Sequence, residues 1–561
     1  MKVDRTPSRI STLLETLYGP QRSREAAGSL EQLIARHRSV RTPGSPCGAV
    51  GLAQGDALLI TYADQVCEPD RVPLQTLAAF IEDHLTGVVS GVHLLPFFPS
   101  SSDDGFAVKD YLAVDAAYGV WDDIARLGQR FDLMFDAVFN HASAQGEWFG
   151  RFLRDEPEFR DFFVTVEGHH DFSRVVRPRA LPLLTEFAAV SGPRKVWTTF
   201  SADQVDLNFK NPAVLLRALE ALLFYIAKGA RFIRLDAIAF LWKEIGTTCL
   251  HLPQTHCVVQ LMRAVLDEVA PGVLLITETN VPHADNVSYF GDGTNEAQLI
   301  YNFALPPLVL HALAAGNAGK LTRWAQSLAL PSERVTFFNF LASHDGIGLN
   351  PARGILGDNE IDALVARTLD HGGFVSYKNM SDGSQVPYEL NINYLDALSN
   401  PAAGEPVELA ARKFLTAQAI MLSLQGMPGI YFHSLFGSRG DRAGVEASGI
   451  KRRINREKLD RARLEAELAD AGSLRARVFG GYCELLRARA SHAAFAPDAA
   501  QHVLDLDARV FAVLRESADG ADRMLCLHNA SPDRVCVRPV ALSAGPVELP
   551  PYGSRWIPAP A

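Results

Sequence analysis

Arg231-Phe232-Ile233-Arg234-Leu235-Asp236-Ala237 reads as an apolar strand that ends in polar chemistry. Side chains two apart on a strand share a face, so Arg234 and Asp236 look the same way where the strand is about to become a loop. An arginine beside an aspartate favours the ionised carboxylate and fixes its orientation, as a carboxylate nucleophile requires. Taken alone, the pair reads first as a buried structural ion pair, because such networks also perturb carboxylates.

Similar apolar runs lie on both sides of this stretch. Residues 57–62, 91–96, 132–137, 273–277, 297–302, 335–340 and 429–432 are short and mostly continuous in apolar character, as strands buried on both faces should be. Helical patterns separate them, among them 74–85, 121–130 and 212–227. Eight such units predict an α/β fold, a (β/α)8 TIM barrel, rather than a doubly wound sheet. Two connections are too long to be simple loops, 142–208 after the third strand and 346–407 after the seventh. Both leave the C-terminal ends of strands, the face where barrel enzymes work. The expected organisation is an N-terminal helical segment (1–50), barrel (51–141), an inserted domain (142–208), barrel (209–345), a loop domain (346–407), barrel (408–490) and a C-terminal β domain (491–561). In the first segment Ile10, Leu13, Leu14 and Leu17 have helical spacing, as do Leu30, Leu33 and Ile34, and Pro43, Gly44, Gly48 and Gly51 end it.

The bulk numbers narrow the function. The chain has 561 residues, 48% apolar and 21% charged, with a net charge of −10. That balance gives no electrostatic case for nucleic acid or an anionic membrane surface. No apolar run approaches the ~20 residues of a membrane helix. Residues 1–9 lack the apolar core of a signal peptide. The seven cysteines are scattered and form no Cys-x-x-Cys pair, which supports neither a disulfide framework nor a zinc site. The expectation is a cytoplasmic protein, monomer or homodimer, acting on small molecules.

Polar residues gather where the strands stop: Asp136 to His141 after the third, Arg234 and Asp236 after the fourth, Glu278 after the fifth, and Ser343-His344-Asp345 after the seventh. Several carboxylates brought to one barrel face carry a cost that a structural role does not explain. A retaining glycosidic reaction needs two carboxyls about 5–5.5 Å apart, one nucleophilic and one shuttling a proton. Neighbouring strands can place Asp236 and Glu278 at that distance. Arg234 is expected to keep Asp236 charged, while Glu278, after Leu274-Leu275-Ile276 and with no adjacent base, should titrate higher.

This set resembles the four motif regions of the α-amylase superfamily in residue type, order and strand position, over roughly residues 50 to 561. The resemblance implies that Asp236 is the nucleophile, Glu278 the general acid/base and Asp345 the carboxylate that favours the distorted transition state. It also implies that Arg234, His141 and His344 contact the sugar. Phe97 to Phe106 looks like a loop of the sucrose phosphorylase-like subfamily, in which Asp103 would seal the glucose pocket and Phe106 lie against the leaving group. Arg177 to Pro182 resembles the loop whose arginine, here Arg179, approaches phosphate. Ile454-Asn455-Arg456 resembles the motif whose arginine closes the glucose site, and Trp197 to Asp206 the return from the inserted domain.

One departure stands in the loop after the seventh strand, where Tyr388-Glu389 replaces the Tyr-Gln of sucrose enzymes. Together with Leu181 to Phe187 and the N-terminal extension, it resembles the glucosylglycerate-cleaving branch of the subfamily. The implied reaction transfers an α-glucosyl unit to inorganic phosphate through a β-glucosyl-enzyme, with no cofactor beyond phosphate as co-substrate. Sucrose or sucrose 6-phosphate phosphorolysis, and a related glucosidase or glucosyltransferase, are the alternatives. An acceptor with a carboxylate calls for a cation facing it, for which Arg179 and Lys378 are candidates. Glu389 fits such an acceptor only if it pairs with a cation or points away. Many α-amylases hold calcium near the asparagine of Asn140-His141. This branch generally does not, and no dense oxygen-ligand loop occurs here, so no metal is expected.

Overall fold

A computed structural model describes residues 8–37, 51–179, 181–379, 384–539 and 545–560. Pro43, Gly44 and Gly48 lie outside the described residues, as do Cys47 and Ala180. Eight short strands, β1 (Leu58–Thr61), β2 (Gly91–Leu94), β3 (Asp132–Ala137), β4 (Ala230–Leu235), β5 (Leu274–Thr277), β6 (Leu299–Tyr301), β7 (Thr336–Asn339) and β8 (Met427–Tyr431), form its centre. They close in the order β1-β8-β7-β6-β5-β4-β3-β2 with every pairing parallel, so the expected barrel is present. Every position of β1 and β5 is buried, which is why these strands read as unbroken apolar runs. The interior is packed rather than open. A Cβ added to Gly429 of β8 would lie 2.3 Å from the Phe338 ring of β7, so only glycine leaves that ring its place.

The helix Pro212–Ala227, between β3 and β4, begins at the predicted residue. Asn211 caps it by accepting from the Ala213 amide, and Pro212 takes the first position, where its missing N–H costs nothing. The helix expected over 121–130 is shorter, Trp121–Leu127, and is capped at Gly128. The N-terminal helix Arg9–His37 is two segments, broken at Gly19 (φ 74°) before Pro20. It lies against Pro212–Ala227 and Pro253–Val269, burying Leu14, Leu30, Leu33 and Ile34 on the barrel's flank.

Two excursions rise from the C-terminal face. After β3 come the short antiparallel pair His141–Ser143 and Gln204–Asp206, and the hairpin Leu184–Ala189 with Gly192–Trp197. After β7 come the helix Asp358–Asp370 and a three-stranded sheet in which Gln385–Asn391 lies between Ile347–Gly348 and Phe374–Asn379. At the C-terminus, Ala500–Asp507, Val510–Glu516, Arg523–Asn529 and Ser554–Pro558 form a four-stranded antiparallel sheet in that order.

Candidate active site

Strand register builds the floor of the site. Asp136 of β3 stands opposite Arg234 of β4, and Arg234 opposite Ile276 of β5. One step past the strand ends, the Asp236 amide donates to the Ala137 carbonyl at 3.2 Å and the Glu278 amide to the Leu235 carbonyl at 3.1 Å. The ladder thus delivers both carboxyls to one level. Arg234 Nη1 donates to Asp236 Oδ1 at 2.8 Å and also to Asp136 Oδ1, while its Nη2 stands 4.0 Å from Glu278 Oε2. His93 Nε2 lies 2.7 Å from the other Asp136 oxygen, in a network fully closed to solvent. Ala237, left-handed at φ 47°, turns its amide onto Glu278 Oε2 at 3.0 Å. Such a conformation costs a non-glycine residue on the order of 1–3 kcal/mol, so the surrounding fold must impose it.

Arg234 is not the largest influence on the Asp236 carboxyl. Burial pushes Asp236 well above the usual carboxylate range against the pull of Arg234, and Glu278 and Asp136 add to the rise. Burial also raises Glu278. Arg234 also serves Asp136, which lies below its usual range, and at Asp236 the negative charges of Glu278 and Asp136 work against it. Asp236 and Glu278 therefore titrate as a pair.

Asp345, after β7, behaves oppositely. Burial would raise it, yet Arg452, with His344 and Arg456, holds it well below the usual range. Arg452 Nη1 is 2.7 Å and Arg456 Nη2 3.3 Å from Asp345 Oδ1. Arg456 is fully buried behind this carboxylate, donating from Nε to the His344 carbonyl at 2.8 Å and from Nη1 to Asp104 Oδ2 at 2.6 Å. Asp103 is likewise held low against burial, first by Arg179, whose Nη2 is 3.0 Å away, and then by Arg456 and Arg452.

The loop carrying Asp103 is tightly wound. Asp103, Asp104 and Gly105 all have positive φ, and a Cβ on Gly105 would meet the Pro96 carbonyl at 2.4 Å. The winding lays the Phe106 ring on His344, with centroids 4.8 Å apart and planes 9° from parallel. His141 Nε2 is 2.8 Å from the Phe106 carbonyl. Burial lowers the pKa of His141, and that of His344 to about 3, so both imidazoles are neutral at physiological pH.

A cavity of about 360 Å³ opens above these groups. Asp236, Glu278, Asp345, Asp103, Phe106, His141 and His344 line its inner part, and Arg179, Tyr388, Glu389 and Lys378 line it too. Arg234 and Arg456 do not reach it; they hold the carboxylates from below and behind. Glu389 is paired: Arg452 Nη2 is 3.1 Å from Oε1, and the Gly346 amide donates to the same oxygen at 2.6 Å. It therefore does not present a free negative charge to the cavity.

Comparison with known proteins places this architecture. The family profile for the α-amylase catalytic domain matches residues 85–346. A glucosylglycerate phosphorylase from Spirochaeta thermophila is 52% identical over 95% of this chain and 91% of its own. The chain belongs to the α-amylase family. A glucosylglycerate phosphorylase from Escherichia coli is 47% identical over 91% of each chain. A sucrose phosphorylase from Agrobacterium vitis is 29% identical over 78% of this chain and 88% of its own. Among solved structures, the sucrose 6F-phosphate phosphorylase of Thermoanaerobacter thermosaccharolyticum superposes with a TM-score of 0.75 at 24% identity, covering 88% of this chain and 98% of that one, a likeness of fold.

This family member has functional-site residues that the sequence reading passed over. Arg452 lines the cavity and bridges Asp345 and Glu389. It sits four residues before Arg456 in the basic run Lys451-Arg452-Arg453, and that clustering of charge was the available signal. Gln204 lines the cavity with its Nε2 3.2 Å from His141 Nε2. Arg353 lines it from the excursion after β7, and nothing in the local sequence marks it. Lys243 is buried with Nζ 2.6 Å from Asn140 Oδ1 and 2.5 Å from Asp206 Oδ2, a contact between residues too far apart in the chain to be read from it.

Proposed function

We propose that this chain is a retaining phosphorylase that moves an α-glucosyl unit between glycerate and inorganic phosphate. The observation that carries the reading is the Asp236–Glu278 pair, set on adjacent strand ends around one arginine at the base of a small-ligand cavity. Adjacent strands lie about 4.8 Å apart, close to the about 5–5.5 Å separation of a retaining carboxyl pair. Of the two, Glu278 carries the proton, because Arg234 donates to Asp236 at 2.8 Å and stands 4.0 Å from Glu278. Asp236 attacks the anomeric carbon as the bond to the glycerate oxygen breaks, and Glu278 gives its proton to that oxygen. A β-glucosyl ester and free glycerate result. Phosphate then loses a proton to Glu278, attacks the same carbon and displaces Asp236, giving α-glucose 1-phosphate with net retention.

The remaining residues take supporting roles. Asp345, kept ionised by Arg452 and Arg456, binds sugar hydroxyls and favours the oxocarbenium-like transition state. Asp103, His141 and His344 complete the glucose pocket, Arg234 and Arg456 hold its carboxylates, and Phe106 covers the leaving-group side. Tyr388 borders the acceptor, Glu389 anchors Arg452, and Arg179 guides phosphate. Identities of 47–53% to three glucosylglycerate phosphorylases, against 27–29% to three sucrose phosphorylases, support glycerate over fructose as acceptor. The Lys243 ammonium on Asn140 and Asp206 already supplies positive charge where many α-amylases hold calcium, which supports a reaction without a metal cofactor. We place the enzyme in the cytoplasm as a monomer or homodimer.

The test is to incubate the enzyme with glucosylglycerate with and without phosphate. Glucose 1-phosphate should accumulate in proportion to glycerate release, and sucrose should react far more slowly. Release of glucose at an undiminished rate without phosphate would make the enzyme a hydrolase and sink the reading.

A further inference from the structure

Cations at the cavity differ in whether the protein answers their charge. Arg452 is paired with Asp345 and Glu389, and Arg179 with Asp103. Arg353 and Lys378 also line the cavity, and among the described residues their hydrogen bonds go to neutral oxygens. Arg353 follows the turn Asn350–Ala352 and donates from Nη2 to the Pro387 carbonyl at 2.9 Å. Its Nε is buried with no partner. Lys378 is on the strand Phe374–Asn379 and donates to Asn350 Oδ1 at 2.9 Å, with Nζ 6.0 Å from the centre of the Tyr388 ring. Strand pairing sets Tyr377 against Pro387 and Lys378 against Val386, so the carbonyl that anchors Arg353 lies beside the strand that carries Lys378.

Two cations brought together without an anion repel one another. Burial lowers the pKa of Lys378, and the charge of Arg353 lowers it further. Such an arrangement persists at a cost unless a ligand supplies the missing negative charge. A carboxylate suits it: one oxygen can accept from the Arg353 guanidinium where that side chain lines the cavity, the other from the Lys378 ammonium, which has donors to spare.

We propose that Lys378 and Arg353 form the seat of the acceptor's carboxylate and set the preference of this enzyme for glycerate over the uncharged glycerol. This rests on the acceptor reading above and adds the residues that enforce it. Arg179, the other cation expected to serve, is bound to Asp103 and is not the acceptor's partner.

The experiment runs the reaction in the synthetic direction with glucose 1-phosphate as donor, so that phosphate is not a substrate, and compares glycerate with glycerol. Lys378→Gln and Arg353→Gln should each lower the ratio of kcat/KM for glycerate to that for glycerol by tenfold or more, mainly through KM for glycerate. Lys378→Arg, which keeps the charge, should retain most of the ratio. Thermal melting identifies any variant that does not fold, for which Lys378→Met or Arg353→Met is substituted. A ratio within twofold of the parent in both glutamine variants overturns the proposal, as does an equal loss with both acceptors. Failure of the unaltered enzyme to use glycerate at all overturns instead the acceptor reading on which it rests.

Discussion

The floor of the cavity and its acceptor-facing wall handle charge in opposite ways. On the floor, Asp136, Arg234, Asp236 and His93 answer one another in a dry network fixed by the register of β3 and β4. On the wall, Arg353 and Lys378 come from the excursion after β7 and rest on a backbone carbonyl and an amide oxygen. The floor is complete without a ligand; the wall's charge is completed by one. A glucosyl unit that every turnover requires can be met by a preorganised floor, whereas acceptor and phosphate enter and leave in turn and need donors that are free between visits.

Substitutions should separate the two regions. Asp236→Asn should cut phosphorolysis on the order of 10⁴-fold or more, as removal of a nucleophile does. A phosphorolysis assay with glucosylglycerate reads this, and a loss as large from Lys378→Gln would erase the distinction. In stability the contrast should run through the arginines. Arg234→Met leaves Asp136 buried with only His93 beside it, and breaking a buried ion pair in this way costs about 3–5 kcal/mol. Arg353→Met removes one hydrogen bond to a neutral carbonyl, a cost of about 1 kcal/mol. Chemical denaturation midpoints at fixed pH measure both, and equal costs would mean that the wall is as structural as the floor.

The same contrast governs what could be read from the sequence. The floor was legible because its residues belong to short apolar strands, and a strand end with a carboxylate fixes both where the side chain sits and which way it points. Asp236 and Glu278 reach the cavity for that reason, and Asp345 from the loop that follows β7. The upward shift of Asp236 was not legible, because it comes from burial and from Glu278 and Asp136, set beside it by a strand register that no local pattern reveals. On the wall, Glu389 looked like an obstacle to an anionic acceptor until its partner Arg452, 63 residues away, came into view. Arg353 carried no signal at all, since its position depends on the fold of a long excursion rather than on a repeating unit.

The effect that grows only with acid concerns His344, which joins the two regions by stacking on Phe106 and lying beside Asp345. Its ring faces Asp345, with Nε2 3.5 Å from Oδ2, and the charges of Arg456, Arg234 and Asp136 also act on it. Burial lowers its pKa to about 3, and its Nδ1 is buried without a partner. The unfolded chain binds a proton on this residue at about pH 6.5, and the folded chain binds it only near the lower value. A depressed folded pKa means that the neutral form's contribution to stability is complete above about pH 6.5 and is lost as the pH falls towards 3. Over that window His344 should contribute a slope of about 1.4 kcal/mol per pH unit. Denaturation of the parent and of His344→Asn between pH 7 and pH 5 isolates it, because every other histidine is common to both. The parent should lose its advantage over the variant as the pH falls. Parallel curves would mean that His344 titrates in the fold as it does in the unfolded chain, and a parent that gains on the variant as the pH falls would mean that Asp345 rather than the dry floor sets its charge.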